Sequence, residues 1–222
     1  MRLRLLALLL AAALALPGCL DLRPARVPDR LLEGAGGNGW QKNATASQGA
    51  PSGSAFSKSQ VLVYDHPAGS GSGYQGQLAV RTLRELLRPN EDTVRKDLSQ
   101  RIRDSATAQG ISLSGSPAQG TRTLANRAQA YWFAYDGSAS ASSGFFSTNA
   151  EVKIFGEVFQ CPSAKTVVAT IGLAQVTNVR SVGGVPLPSD SDPTTWNDIV
   201  ADPAGSIGGV VGSDGLAYNV AC

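Results

Sequence analysis

Histidine is nearly absent from this chain of 222 residues, which contains only His66. A serine hydrolase needs a base beside its nucleophile and an acid that orients the base, so His66 would be the sole imidazole for that role. Serines are abundant, but none stands in a G-x-S-x-G nucleophile elbow that follows a strand. The sequence therefore favours a protein that is not an enzyme, with His66 interpreted as a loop residue at a strand end.

Long apolar runs are also scarce. The longest one, from Leu5 to Leu16, has 12 residues, which is too short to cross a bilayer as a helix. Arg2 and Arg4 precede it, and a cationic start before a short apolar run is typical of a secretory signal. The sequence predicts a signal that is removed, and the alternative is an uncleaved anchor.

The apolar run ends in Leu16-Pro17-Gly18-Cys19, and residues 1–19 resemble the signal peptide and lipobox of bacterial lipoproteins. The resemblance implies that residues 1–18 are removed and that Cys19 becomes a lipidated N-terminus, with acyl chains such as palmitate as the membrane anchor. No other cofactor is expected. In diderm lipoproteins an Asp after the cysteine favours the inner membrane, and here Leu20 follows, so we expect a cell-envelope protein of the outer membrane. In a monoderm the same lipid would place it on the outer face of the cytoplasmic membrane.

Basic residues are missing from the end of the chain. Residues 181–222 contain no Lys or Arg but five Asp, which gives this segment a charge of −5. Once Arg2 and Arg4 are removed with the signal, 17 basic residues balance 17 acidic ones, and the mature chain is neutral. A neutral chain offers no basic surface of the kind that binds nucleic acid, so no nucleic-acid partner is expected.

Cysteine is scarce too, with three in the chain. If Cys19 carries lipid, Cys161 and Cys222 remain as an even pair in an exported protein. A disulfide is the expected outcome in an oxidising compartment, and two free buried thiols are the alternative. Two cysteines and one histidine cannot complete a tetrahedral zinc shell without carboxylates, so a zinc site is not expected.

The composition divides the mature chain into two parts. Residues 19–58 are rich in Pro, Gly, Ser and Asn and lack apolar periodicity, which predicts a flexible tether behind Cys19. Residues 59–222 are predicted to form one α+β domain that ends in a Gly- and Asp-rich tail. Its sheet is expected to be mainly antiparallel, with two helices packed on one face.

Local patterns predict the elements of this domain. Residues 60–64 are an apolar strand, and residues 77–88 are predicted to be a helix because Ala79, Leu83, Leu86 and Leu87 share one helical face. Asn90 is expected to cap a second helix that ends near Gly110. Strands are predicted over residues 128–135, 150–160 and 166–177, with a helix as the alternative for the first, and the last two form a hairpin. A short helix is predicted over residues 192–200.

Three further patterns invite a functional interpretation. Residues 71–76 match G-x-G-x-x-G, but the first glycine comes too late after the strand for a dinucleotide turn, so a flexible loop is favoured. Asp190, Asp192 and Asp198 offer oxygen ligands for a hard cation, although their spacing does not match an EF-hand and helix capping explains them as well. The aromatic run from Tyr131 to Phe133 is expected to fill the core on both sides of a strand.

The leading hypothesis is a non-catalytic lipoprotein that is anchored to membrane lipid through Cys19. It would act through contacts with another envelope protein. The alternative is a lipoprotein that binds an apolar ligand, a glycan or an ion between its sheet and its helices. A hydrolytic enzyme is the third possibility. A closed apolar pocket above about 300 Å³ with a few polar groups would favour the ligand-binding alternative. A filled core with an exposed apolar patch would favour a surface for a protein partner.

Overall fold

The computed structural model describes residues 22–32, 40–54, 56–66, 76–85, 90–139, 150–162, 165–175, 181–182, 185–186 and 215–222. The helix α1 spans Glu91–Ala108. The strands are β1 (Gln41–Lys42), β2 (Ser52–Gly53), β3 (Ser57–His66), β4 (Gly76–Glu85), β5 (Ile111–Thr123), β6 (Gln129–Ala139), β7 (Ala150–Gln160), β8 (Thr166–Gln175), β9 (Ser181–Val182) and β10 (Val185–Pro186).

An antiparallel sheet dominates the described residues. Its strand order is β1-β3-β4-β8-β7-β6-β5, with β2 also paired to β3, and β9 and β10 form a separate two-stranded ladder. The predicted β7–β8 hairpin is confirmed, with Phe159 opposite Val168. One α-helix and a 3-10 turn at Asp29–Leu31 accompany this sheet within the described ranges. The expected antiparallel α+β class therefore holds, but the expected pair of packed helices does not.

Each face of the sheet carries its own hydrophobic cluster, because side chains alternate along a strand. We call the first the helix face, since Leu98 and Ile102 of α1 pack on it against residues such as Phe133 and Val158. We call the second the terminal face. Its cluster includes Ala25, Val27, Trp40, Leu78, Trp132, Phe155, Leu216 and Val220. As predicted, the aromatic run in β6 fills both sides of the sheet.

The helix α1 begins and ends where the sequence predicts. The side-chain oxygen of Asn90 accepts hydrogen bonds from the backbone amides of Asp92 (2.9 Å) and Thr93 (3.3 Å). Gly110 adopts a positive φ of 68° just beyond the helix, a conformation that glycine takes without strain. Leu98, Ile102 and Ala106 are the buried residues of α1.

The helix predicted over residues 77–88 is wrong, because residues 76–85 form strand β4. In this strand Leu78, Val80 and Thr82 are fully buried on the terminal face. Ala79 and Leu83, which suggested a helical stripe, lie on the opposite face of the sheet. The apolar positions of this segment fit the 3.6-residue period of a helix as well as the two-residue period of a strand. The strand forms because the segment pairs with β3 on one side and with β8 on the other.

The flexible tether predicted over residues 19–58 is also wrong for its described parts. Ala25, Val27 and Trp40 are at most 1% exposed and belong to the terminal-face cluster. The amide of Ala25 donates to Thr82 Oγ1 (2.8 Å), and the amide of Val27 donates to the Tyr64 hydroxyl (3.1 Å). The domain therefore begins no later than Leu22. The prediction failed because the few apolar residues that pack on the sheet are scattered through a Gly- and Pro-rich segment and show no period.

Cys161 and Cys222 form the predicted disulfide. It joins the end of β7 to the last residue of the chain, 61 positions later. A backbone ladder between Arg26 and Ala221 holds the same C-terminal segment against the N-terminal one. Both ends of the described chain are therefore fixed over the terminal face.

Several predicted features lie outside the described residues. They are Cys19, most of the glycine-rich loop over residues 71–76, the helix over residues 192–200, and Asp190, Asp192 and Asp198. Among the helices that are described, none is long and apolar enough to cross a membrane.

A candidate ligand groove between the helix and the sheet

A groove of about 700 Å³ opens beside the helix on the helix face. It exists because α1, the one α-helix of the described residues, packs over β5, β7 and β8 and does not reach the β3–β4 end of the same face. The groove thus runs between the N-terminal half of α1 and three adjacent strands, β3, β4 and β8. This is the volume expected of a small-molecule site, which is typically about 300–1,000 Å³.

The floor of the groove is mostly apolar. Its apolar residues come from alternate positions of the three strands: Val61, Ala79, Leu83, Val167, Ala169 and Ile171. Val94 and Leu98 of α1 form the opposite wall. Val167 is buried, whereas Val61 and Leu83 are half-buried, so part of this apolar surface remains open to a ligand.

Arg81 interrupts the apolar floor near its middle. It lies opposite Val61 on β3 and opposite Ala169 on β8, and it is half-buried. Among the described residues, no carboxylate forms an ion pair with its guanidinium. As far as the described residues go, the groove presents Arg81 as a cation outside any ion pair, within a largely apolar surface.

The other charged residues of the groove lie on its rim. Arg101 donates from Nε to the Asp97 carboxylate at 2.6 Å, so these two charges on α1 neutralise each other. Glu85 is four residues from Arg81 on β4, roughly 13 Å along the strand. Asn90 also borders the groove, but its side-chain oxygen is used by the helix cap.

Residues 41–53, which were expected to belong to a tether, cover the outer edge of β3. The strands β1 and β2 pair with its two ends. Between them, the amide of Val63 donates to Ser47 Oγ (2.9 Å), and the amide of Val61 donates to the Gln48 side chain (3.0 Å). An extended peptide thus finds no open ladder beside the groove, which disfavours strand addition there.

A second polar feature, the pair of Arg122 and Glu157, is buried on the terminal face. The guanidinium donates twice to the carboxylate, at 2.7 and 3.1 Å, and Glu157 is fully buried. Burial raises the pKa of Glu157, and the charge and hydrogen bonds of Arg122 oppose part of that rise. The ring of Tyr218 lies 5.4 Å from the same guanidinium, so the pair ties β5 and β7 to the C-terminal segment.

His66 is not a loop residue, because it is the last residue of β3 and is 1% exposed. Its ring packs edge-on against Trp40, with the ring centroids 5.5 Å apart. Asp65 points to the opposite face, as expected of its neighbour in a strand. There its carboxylate accepts from the side chains of Asn43 (2.5 Å) and Gln77 (2.9 Å).

No group of three or more metal-ligating side chains occurs among the described residues. The groove itself was missed by sequence reasoning, because residues 77–88 were predicted to be a helix. A signal was present in the β-branched residues Val80 and Thr82, which favour a strand. Reading β4 as a strand places Ala79, Arg81 and Leu83 on one face.

No protein family matches the chain, and no curated protein is significantly similar to it.

Proposed function

We propose that this chain is a non-catalytic, lipid-anchored protein of a bacterial envelope, and that it binds an apolar ligand in the groove beside α1. The observation that carries the binding function is the open apolar floor of the groove, with a volume of about 700 Å³. A core residue would be covered on this face, whereas Val61, Leu83 and Ile171 are each only half-buried. Filling the groove would remove this apolar surface from water, which is favourable.

The proposal of export and anchoring rests on the pattern of residues 1–19 and is supported by the disulfide. Disulfides persist in oxidising compartments and are rare in the cytosol. The packing of Leu22 changes how such an anchor would hold the domain. Two residues lie between Cys19 and Leu22, and the three Cα-to-Cα steps from one to the other span at most about 11 Å. The domain would therefore sit against the lipid head groups.

Basic residues near this attachment point support the same arrangement. Arg23, Arg26 and Arg30 are all exposed in the N-terminal segment. Cations close to a membrane surface are attracted to anionic head groups, by about 1 kcal/mol each. The groove lies on the other side of the sheet from this segment and would remain accessible.

Contact with another envelope protein stays a prediction. The exposed side chain of Phe56, with 68% of its surface accessible, is the observation that favours it. A single exposed aromatic residue is common on monomeric proteins, so the groove carries the stronger argument.

The groove is tested with N-phenyl-1-naphthylamine, an uncharged dye whose fluorescence rises in apolar surroundings. We expect the wild-type protein to bind it and Ala79→Phe to lose it, because a phenyl ring on the floor occupies the ligand volume. Ala44→Phe is the matched control, since the same change is made at an exposed turn. Equal dye binding by all three proteins, with unchanged melting temperatures, would contradict a site in the groove.

A further inference from the structure

The unpaired guanidinium on the groove floor defines the class of ligand. We propose that the groove takes a single-chain amphiphile with a carboxylate, whose alkyl chain lies on the apolar floor and whose head group is bound by Arg81. This inference rests on the proposed binding function and specifies its ligand.

Within the described part of the chain, Arg81 belongs to no ion pair. It is half-buried among Val61 and Ala169, where a valine or threonine would extend the apolar surface. The other arginines near this face have partners. Arg101 pairs with Asp97, Arg95 pairs with Asp92, and the Arg95 guanidinium also lies 4.4 Å from the Tyr131 ring centroid.

A carboxylate fits this position better than an uncharged polar group. The guanidinium presents a planar fork that binds both oxygens of a carboxylate, and charge-assisted hydrogen bonds are the stronger kind. Ligand anions are not repelled strongly here, because Arg101 already neutralises Asp97 on the rim. Glu85, the remaining acid of the groove, lies roughly 13 Å along β4 from Arg81.

The apolar floor of the groove is the surface on which the alkyl chain of the ligand would lie. The apolar residues on either side of Arg81 continue along β4, with Ala79 before it and Leu83 after it. Val94 and Leu98 of α1 cover the same path from the helix side. An alkyl chain lying here is shielded on two sides, and each buried methylene should tighten binding about fourfold.

The experiment measures displacement of N-phenyl-1-naphthylamine from the full-length protein by decanoate, below its micelle concentration, and by decan-1-ol, below its solubility limit. We expect decanoate to bind at least tenfold more tightly than decan-1-ol, the gain typical of a hydrogen bond to a charged group. Arg81→Gln should abolish this preference while leaving decan-1-ol binding within twofold. Arg84→Gln is the matched control, because Arg84 lies on the same strand but alternates to the other face. Octanoate should bind more weakly than decanoate, and dodecanoate should bind more tightly, because each added methylene buries more apolar surface.

The outcomes separate the head group from the groove. Equal affinity for decanoate and decan-1-ol, or a preference that survives Arg81→Gln, would overturn the role of Arg81 and leave the apolar groove standing. Failure of the dye and both amphiphiles to bind would overturn the proposed function as well. Binding of anionic vesicles without binding of monomeric decanoate would overturn the single-chain ligand.

Discussion

At the scale of single residues, two arginines of this protein, Arg81 and Arg122, have different roles. Arg81 lies in an open groove and forms no ion pair with a described residue, whereas Arg122 is paired with Glu157 in the interior. A buried pair of this kind is weak evidence of net stability, but removing one partner leaves an uncompensated charge. Substitution of Arg81 should therefore change ligand binding, whereas substitution of Arg122 should change the stability of the fold.

Replacement of Arg122 should destabilise the protein in a pH-dependent way. Because burial already raises the pKa of Glu157 above its ordinary 4.5, the folded state holds this proton better than the unfolded state does. Stability from this group is therefore present below about pH 4.5 and is lost as pH rises through the raised pKa. Arg122→Met removes the charge and hydrogen bonds that keep the pKa of Glu157 from rising further. The loss in unfolding free energy should therefore be smallest at low pH, where Glu157 is protonated, and grow to about 3–5 kcal/mol at pH 8.

Urea unfolding of wild type and Arg122→Met at several pH values measures this difference. The double variant Arg122→Met with Glu157→Leu should recover most of the lost stability, because no buried charge remains. A cost that is the same at pH 4 and pH 8, or a double variant no better than the single one, would contradict a buried carboxylate held by Arg122.

At the scale of elements, cross-strand pairs of an aromatic residue with a glycine fix the sheet. Trp132 lies opposite Gly120, Phe133 opposite Gly156, and Phe155 opposite Gly172. A Cβ atom at Gly120 would lie 2.8 Å from the Trp132 ring, and at Gly172 the Phe155 ring leaves no space for one. Each ring thus lies across the neighbouring strand and covers its bare backbone.

Gly172→Ala should cost about 1–3 kcal/mol, the usual effect of overpacking, because the Phe155 ring must move. Gly49→Ala is the control, since a Cβ there meets nothing within 4 Å, and it should change stability by less than about 0.5 kcal/mol. Thermal unfolding distinguishes the two. If Gly172→Ala melts at the wild-type temperature, the ring does not occupy that site.

Sequence reasoning predicted the elements whose signals are local. The Asn90 cap, the α1 stripe at Leu98 and Ile102, and the β7–β8 hairpin need only neighbouring residues to be recognised. It failed at β4, where residues 77–88 suit both a helix and a strand and the partners lie far away in sequence. It failed again at Val27 and Trp40, which are single apolar residues in a polar segment with no period to reveal them. The groove depends on the first of these failures, because β4 supplies Ala79, Arg81 and Leu83 to its floor.

At the scale of the whole molecule, the two ends of the described chain are joined over one face of the sheet, and the groove opens on the other. The disulfide spans 61 positions, and in the chain-entropy model such a loop contributes about 4 kcal/mol. Cys222→Ser should therefore lower the free energy of unfolding by about that amount. Alkylation without reductant should modify neither Cys161 nor Cys222 in the wild type. Two alkylated thiols under those conditions would refute the bond.

The proposed anchor makes a prediction at the same scale. Cys19→Ser should release the protein from the membrane fraction, because the cysteine that carries the lipid is lost. The disulfide variant Cys222→Ser is the matched control and should stay with the membranes. If Cys19→Ser fractionates with membranes as the wild type does, the lipid anchor is wrong.

The central claim is that the groove between α1, β3, β4 and β8 is the ligand site. NMR titration of methyl-labelled protein with decanoate tests it most directly, because each face of the sheet has its own methyl groups. We expect the largest shifts, and contacts to the alkyl chain, at Ala79, Leu83 and Ile171. Shifts confined to terminal-face methyls such as Leu62 and Val80, or no shifts at saturating decanoate, would contradict the claim.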